Sequence, residues 1–201
     1  SITFDGDNNA LYFAMYYAGS NSATSYDLDG NLRWQKSLNC ASLSFTAYHN
    51  NVAFFSDTCG YVYALDSANG DNVWGPIRLG NGVTDETDIS SVTISGGQIF
   101  IGTTNSSKPN DSRGLGKFFI LDELSGEIIW QYHEADLGNV IAPASIFNGI
   151  FYNVTSCWDV FAFDVGDGES EWLNPRYDKN NTGYSPGGLT QSKYVKSICY
   201  S

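Results

Sequence analysis

The run DGDNN places Asp5, Asp7 and Asn9 at alternating positions, the spacing with which a calcium loop offers its oxygen ligands. Ala10 stands where such a loop needs its turn glycine, and Tyr16 where it needs a bidentate glutamate, so the run predicts a hairpin turn rather than a metal site. A second acidic run, TDETD at 84–88, reads as a solvated loop. His49 and His133 fall in a predicted turn and just after a predicted strand, with no second His or Cys at ligand spacing, and both read as ordinary surface residues. The sequence contains no serine-nucleophile elbow, no phosphate-binding Walker loop and no G-x-G-x-x-G. No catalytic, cofactor or metal residues are predicted.

Cys40, Cys59, Cys157 and Cys199 form no C-x-x-C pair, which argues against zinc or redox motifs and leaves disulfides. Cys40 precedes one predicted strand and Cys59 follows the next, antiparallel one, so their backbones fall at the same end. A bridge there would close about 20 residues and stabilise by roughly 3 kcal/mol on the loop-entropy model. Cys157 and Cys199 occupy equivalent places after the second strands of two later units and could tie those units together. N-x-S/T sequons stand at Asn105, Asn110, Asn153 and Asn180. An even cysteine count with four sequons predicts a secreted, extracellular glycoprotein carrying N-linked glycans and no other bound group.

Charge narrows the partners. With 22 acidic residues against 10 basic ones the chain carries a net charge of −12, a field that repels nucleic acid and anionic lipid. The longest apolar run, 10–18, is well short of the roughly 20 residues a membrane-spanning helix needs, so no membrane insertion is expected. The sequence opens on Ser with no basic and apolar leader, which predicts a signal peptide already removed or a piece of a longer chain.

The elements that position these residues repeat. Trp34, Trp74, Trp130 and Trp172 are separated by 40, 56 and 42 positions, a period that signals a propeller or solenoid. Upstream of three of them lie an Asp and a Gly at constant offsets: Asp66 and Gly70, Asp122 and Gly126, Asp164 and Gly168. Asp27 and Gly30 precede Trp34 with one residue fewer between them, a change a hairpin loop absorbs. The phrase predicts a strand ending at Asp, a turn whose Gly takes positive φ, and a return strand that buries its Trp. Because the Asp recurs in every unit, turn hydrogen bonding explains it better than catalysis. Two further strand-like runs precede each phrase, so each unit is four antiparallel strands, and radial stacking of such small sheets is an all-β propeller.

The pattern A-x-D-x-x-x-G-x-x-x-W, complete at Ala64/Asp66/Gly70/Trp74 and Ala162/Asp164/Gly168/Trp172, resembles the tryptophan-docking repeat of the PQQ-like propellers, the quinoprotein alcohol dehydrogenase superfamily. The resemblance implies that each Trp stacks between blades, on the Ala of its own motif and near the Gly of the next. Ser25 and Ile120 replace that Ala in two units, where packing is expected to differ. For an enzyme the family implies Ca²⁺ held by Glu and Asn, an Asp base and, in many members, adjacent cysteines. No adjacent cysteines occur here, and none of those roles maps onto a particular residue.

The units run over about 1–40, 41–80, 81–138 and 139–183 within one propeller domain, and 184–201 reads as the first two strands of another unit with no closing hairpin. Unpaired strands associate. The sequence therefore predicts a non-enzymatic structural or adhesive propeller, a unit of an extracellular assembly or filament that joins copies of itself through the terminal half blade. A fragment of a PQQ-dependent dehydrogenase and a carbohydrate- or peptide-binding propeller are the alternatives.

Overall fold

The computed structural model describes residues 2–17, 20–42, 44–79, 88–104, 116–133, 137–140, 142–147, 149–157, 159–164, 184–185 and 193–198. Gly168, Trp172, Cys199 and the sequons at Asn105, Asn110 and Asn180 lie outside these residues, as do positions 84–87 of the acidic run. All the described regular structure is strand, arranged as four blades. Blade one is β1 (Thr3–Asp5), β2 (Ala10–Tyr17), β3 (Ser20–Asp27) and β4 (Leu32–Ser37), paired antiparallel in that order. Blade two repeats the order with β5 (Ala47–His49), β6 (Val52–Ser56), β7 (Tyr61–Asp66) and β8 (Asn72–Arg78).

In blade three the inner strand is broken into β9 (Asp88–Ile89) and β10 (Thr93–Ser95), which pair with different parts of β11 (Gln98–Thr104). The sheet continues through β12 (Phe118–Asp122) and β13 (Ile128–Tyr132). Blade four starts with β14 (Ser145–Phe147), β15 (Ile150–Val154) and β16 (Val160–Asp164).

The C-terminal strands differ from the expectation. β17 (Tyr184–Ser185) and β18 (Lys193–Ile198) do not pair as the start of another unit. β17 lies parallel to β10, and β18 runs antiparallel to β16, taking the fourth place that the repeat assigns to the Trp172 strand. The physical reason is edge pairing: β16 offers a full row of backbone donors and acceptors, and a hydrogen-bond ladder accepts any extended strand that reaches it. The terminal strands are thus used within the chain and are not a free half blade.

A single register position organises the core. Tyr12, Phe54, Phe100 and Tyr152 each sit on the second strand of a blade, opposite Ser25, Ala64, Ile120 and Ala162 respectively, the Ala position of the repeat. Tyr12 is buried against Ala53, Phe55, Tyr63 and Leu65 of blade two. Phe54 is buried against Ile94, Ile99, Ile101 and Leu121 of blade three, and Phe100 against Ile146, Phe151, Phe161 and Phe163 of blade four. Each such ring contributes about 1.5–3 kcal/mol by leaving water. Among the described residues these clusters fill three seams, and none joins blade four to blade one: the sheets do not close.

Candidate functional site

The seams are where side chains of different blades meet, and each is built from the Asp–Gly–Trp hairpin. The Asp comes first. Asp27 accepts from the amides of Asp29 and Asn31, Asp66 from those of Ala68 and Asn69, and Asp122 from those of Leu124 and Ser125. These turn bonds hold the carboxyls of Asp27 and Asp122 below the usual range, the first through the Asn31 side-chain amide above all and the second through the Ser125 hydroxyl. Their geometry then demands a left-handed residue, and Gly30, Gly70 and Gly126 take φ of 85°, 77° and 73°.

Glycine has a second duty at two of these positions. The indole of Trp34 lies so close over Gly70 that a Cβ built there would sit 2.8 Å from the ring, and Trp74 approaches Gly126 to the same 2.8 Å. The Trp34 Nε1–H donates to the Ser67 carbonyl at 2.9 Å, and the Trp74 Nε1–H to the Glu123 carbonyl at 2.9 Å. Both acceptors are the residue immediately after the motif Asp of the following blade. Trp34 and Trp74 stand opposite Ser25 and Ala64 on their own sheets, so the docking implied by the repeat is present at these two seams. Trp130, opposite Ile120, packs edge-on against Phe163 at 5.2 Å and stacks on Tyr132. At Gly30 a Cβ would meet nothing within 4 Å among the described residues.

Three buried acids brace the seams. Asp5 accepts from the amides of Asp7 and Asn8, from the Asn8 side chain and from the Tyr12 hydroxyl at 2.9 Å, so DGDNN is the predicted turn, with Asn9 at φ 48°. Asp57 accepts from the amides of Cys40, Cys59 and Tyr61 and from the Tyr63 hydroxyl at 2.7 Å. Burial, reinforced by Asp5, raises the hydroxyl pKa of Tyr12 and pushes that of Tyr48 up to about 12; burial and Asp57 raise that of Tyr63. Asp57 also anchors the predicted disulfide, Cys40–Cys59, whose Cα atoms are 5.7 Å apart.

Glu123 is 5% exposed and joins His49 through its carboxylate across the seam between blades two and three. His49 is therefore not an ordinary surface residue, whereas His133 is exposed and meets the Gly116 carbonyl. The pair spans 74 positions, and no local spacing marks it.

Asn153 also corrects its expectation. It is 4% exposed, its Nδ2 donates to the Ala142 carbonyl and its Oδ1 accepts from the Val154 amide, so the nitrogen that a glycan would occupy is inside the fold. Cys157 is half-buried in the turn after β15, and its expected partner Cys199 is outside the described residues.

A quinone–calcium centre needs carboxylate and amide oxygens free to face a cation. Asp5, Asp57 and Glu123 are committed to turn amides, tyrosine hydroxyls and His49, and among the described residues no three His, Cys, Asp or Glu side chains come together. The described residues do not fit such a centre. The chemistry they support is packing and hydrogen bonding between blades.

The PQQ_2 family model, described as outer membrane protein assembly factor BamB, matches residues 14–191. BamB from Moraxella catarrhalis superposes with a TM-score of 0.58 at 18% identity, over 97% of this chain and 48% of its own. Quinohemoprotein alcohol dehydrogenase from Comamonas testosteroni gives a TM-score of 0.63 at 14% identity over 96% of this chain and 33% of its own. The computationally designed Ika4 protein gives 0.60 at 16%, over 83% and 92%. The chain thus spans about half the length of the BamB structure, and at these identities the likeness is one of fold. No curated protein is a significant sequence match.

Proposed function

The chain belongs to the family of BamB-type, PQQ-like repeat propellers, and from that premise we propose that it is a non-enzymatic structural unit, secreted and glycosylated, that works by being built into a larger protein assembly. The seam acids carry this reading: Asp5, Asp57 and Glu123 are spent on turn amides, tyrosine hydroxyls and His49. The last sheet also exposes Phe147, Tyr152 and Val154. The family's printed role, an assembly factor, is of the same kind. The Cys40–Cys59 bridge supports an oxidising compartment, and the sequons at Asn105, Asn110 and Asn180 remain candidates for glycans.

Light scattering on native material tests the reading. A species heavier than one chain is expected, with a mass loss on deglycosylation; a strictly monomeric, unglycosylated protein at high concentration counts against it. A quinone dehydrogenase is the second reading, favoured by the likeness in fold to the Comamonas enzyme. It predicts quinone absorbance and calcium-dependent dye reduction with alcohols, and the committed acids of the seams speak against it.

A further inference from the structure

Two blade-to-blade connections solve one structural problem in different ways. In the turn after β6 the Asp57 amide donates to the Tyr61 carbonyl and the Thr58 amide to the Ala41 carbonyl, which ties the connection between β4 and β5 to that turn. In the turn after β15 the Thr155 amide donates to the Asp159 carbonyl and the Ser156 amide to the Asn139 carbonyl, which ties down the connection between β13 and β14. The constant spacing of these bonds puts Cys157 in the place of Cys59 and Gly138 in that of Cys40. By the same spacing Leu137 answers to Asn39 and Val140 to Ser42.

The later connection is held by packing. Leu137 is 1% exposed and Val140 0%, both inside the cluster that contains Phe100, Phe118 and Phe151. In the earlier connection Asn39 is exposed and Ser42 is a buried hydroxyl, and among the described residues of 39–46 no side chain joins an apolar cluster. Polar bonds take over. The Asn39 amide donates to the Tyr63 hydroxyl at 2.9 Å and the Cys40 amide to the Asp57 carboxylate at 3.1 Å. The Ser44 hydroxyl donates to the Ser56 carbonyl at 3.1 Å, and the Phe45 amide to the Ser91 hydroxyl of blade three at 2.9 Å. Water competes for every one of these bonds, whereas Leu137 and Val140 leave their places only by exposing apolar surface. The Cys40–Cys59 bridge thus stands in for the apolar clamp, and both of its residues are half-buried instead of sealed in the core.

We infer that Cys40–Cys59 is a reversible redox latch: a dithiol reductant opens it, and the connection that carries Phe45 then leaves Asp57 and Tyr63 while the blades stay folded. One thiolate of the dithiol attacks a bridge sulfur, forming a mixed disulfide and releasing the other cysteine; its second thiol then displaces the first cysteine. The dithiol ends as its own disulfide, and two electrons and two protons end on Cys40 and Cys59 as thiols. What the latch controls is the position of Phe45, a ring 40% exposed whose amide is tied to Ser91. The latch goes beyond the proposed assembly role and does not depend on it.

The test uses the intact chain. Dithiothreitol is added under native conditions, bridge opening is followed by alkylation of Cys40 and Cys59, and amide hydrogen exchange is read by NMR. Reduction is expected to bring the amides of Asn39, Cys40 and Phe45 to within about tenfold of unprotected rates while β6 and β7 stay protected, and reoxidation to restore the slow exchange. Cys40→Ser with Cys59→Ser should exchange like the reduced chain. A bridge that resists dithiothreitol in the folded chain overturns the latch. So do amides of Asn39, Cys40 and Phe45 that stay as protected as the strands after reduction, because hydrogen bonds alone then hold the connection. Loss of protection throughout β6 and β7 on reduction overturns it too, since the bridge is then a staple of the whole fold.

Discussion

Replacing Gly30, Gly70 and Gly126 by alanine, one at a time, separates the turn from the docked tryptophan. All three take positive φ, so alanine strains each backbone alike, by about 1–2 kcal/mol. At Gly70 the added methyl also falls 2.8 Å from the Trp34 ring, and at Gly126 it runs into the Ile77 side chain as well as the Trp74 ring at 2.8 Å, and such overpacking costs a further 1–3 kcal/mol or so. Gly30→Ala should therefore lose about 1–2 kcal/mol, and Gly70→Ala and Gly126→Ala about 2–5 kcal/mol. Urea unfolding followed by tryptophan fluorescence gives the midpoints, and their shifts at constant slope give the free-energy differences. Equal losses at all three positions would refute the docking of the indoles, since Gly30 would then be energetically the same as the two docked turns.

Removing the bridge by Cys40→Ser with Cys59→Ser should cost roughly 3 kcal/mol, the loop entropy of about 20 residues, and reduction should split a 40–59 linked peptide pair in mass spectrometry. His49→Ala leaves the buried Glu123 carboxylate without the imidazole and should cost about 1–3 kcal/mol by urea unfolding, more than His133→Ala on the exposed side. In alkali, an unfolded tyrosine loses its proton near pH 10 while folded Tyr48 keeps it to about 12. The unfolded chain then binds fewer protons than the folded one, so stability is full below pH 10 and falls between 10 and 12. Tyr48→Phe should flatten that decline in unfolding midpoints measured against pH, and a midpoint independent of pH across this window would contradict the burial of these hydroxyls. Glycan mapping should find Asn153 unmodified whatever the state of Asn105, Asn110 and Asn180, because its amide nitrogen is committed to Ala142.

What the sequence determined by itself is the hairpin. Asp66 bonds amides two and three residues on, and Gly70 turns the chain within the same loop, so the interaction is over before any other blade is needed. Repetition of that local unit is enough to specify four-stranded sheets, the buried indoles of Trp34 and Trp74 on their return strands and a propeller-like stack. The Cys40–Cys59 pair was accessible in the same way, because it follows from two adjacent antiparallel strands.

Tertiary structure decided everything that depends on which surfaces meet. Asn153 satisfies the sequon pattern yet is buried, since burial is set by the blade opposite and not by three consecutive letters. His49 finds Glu123 across 74 residues, a pairing created by the angle between two blades. β18 claims the edge of β16 because backbone ladders carry little sequence information and reward whichever strand arrives. Tyr12, Phe54, Phe100 and Tyr152 are interchangeable as letters in a strand, and only the stack tells them apart: three are covered by a following blade, and the fourth faces water.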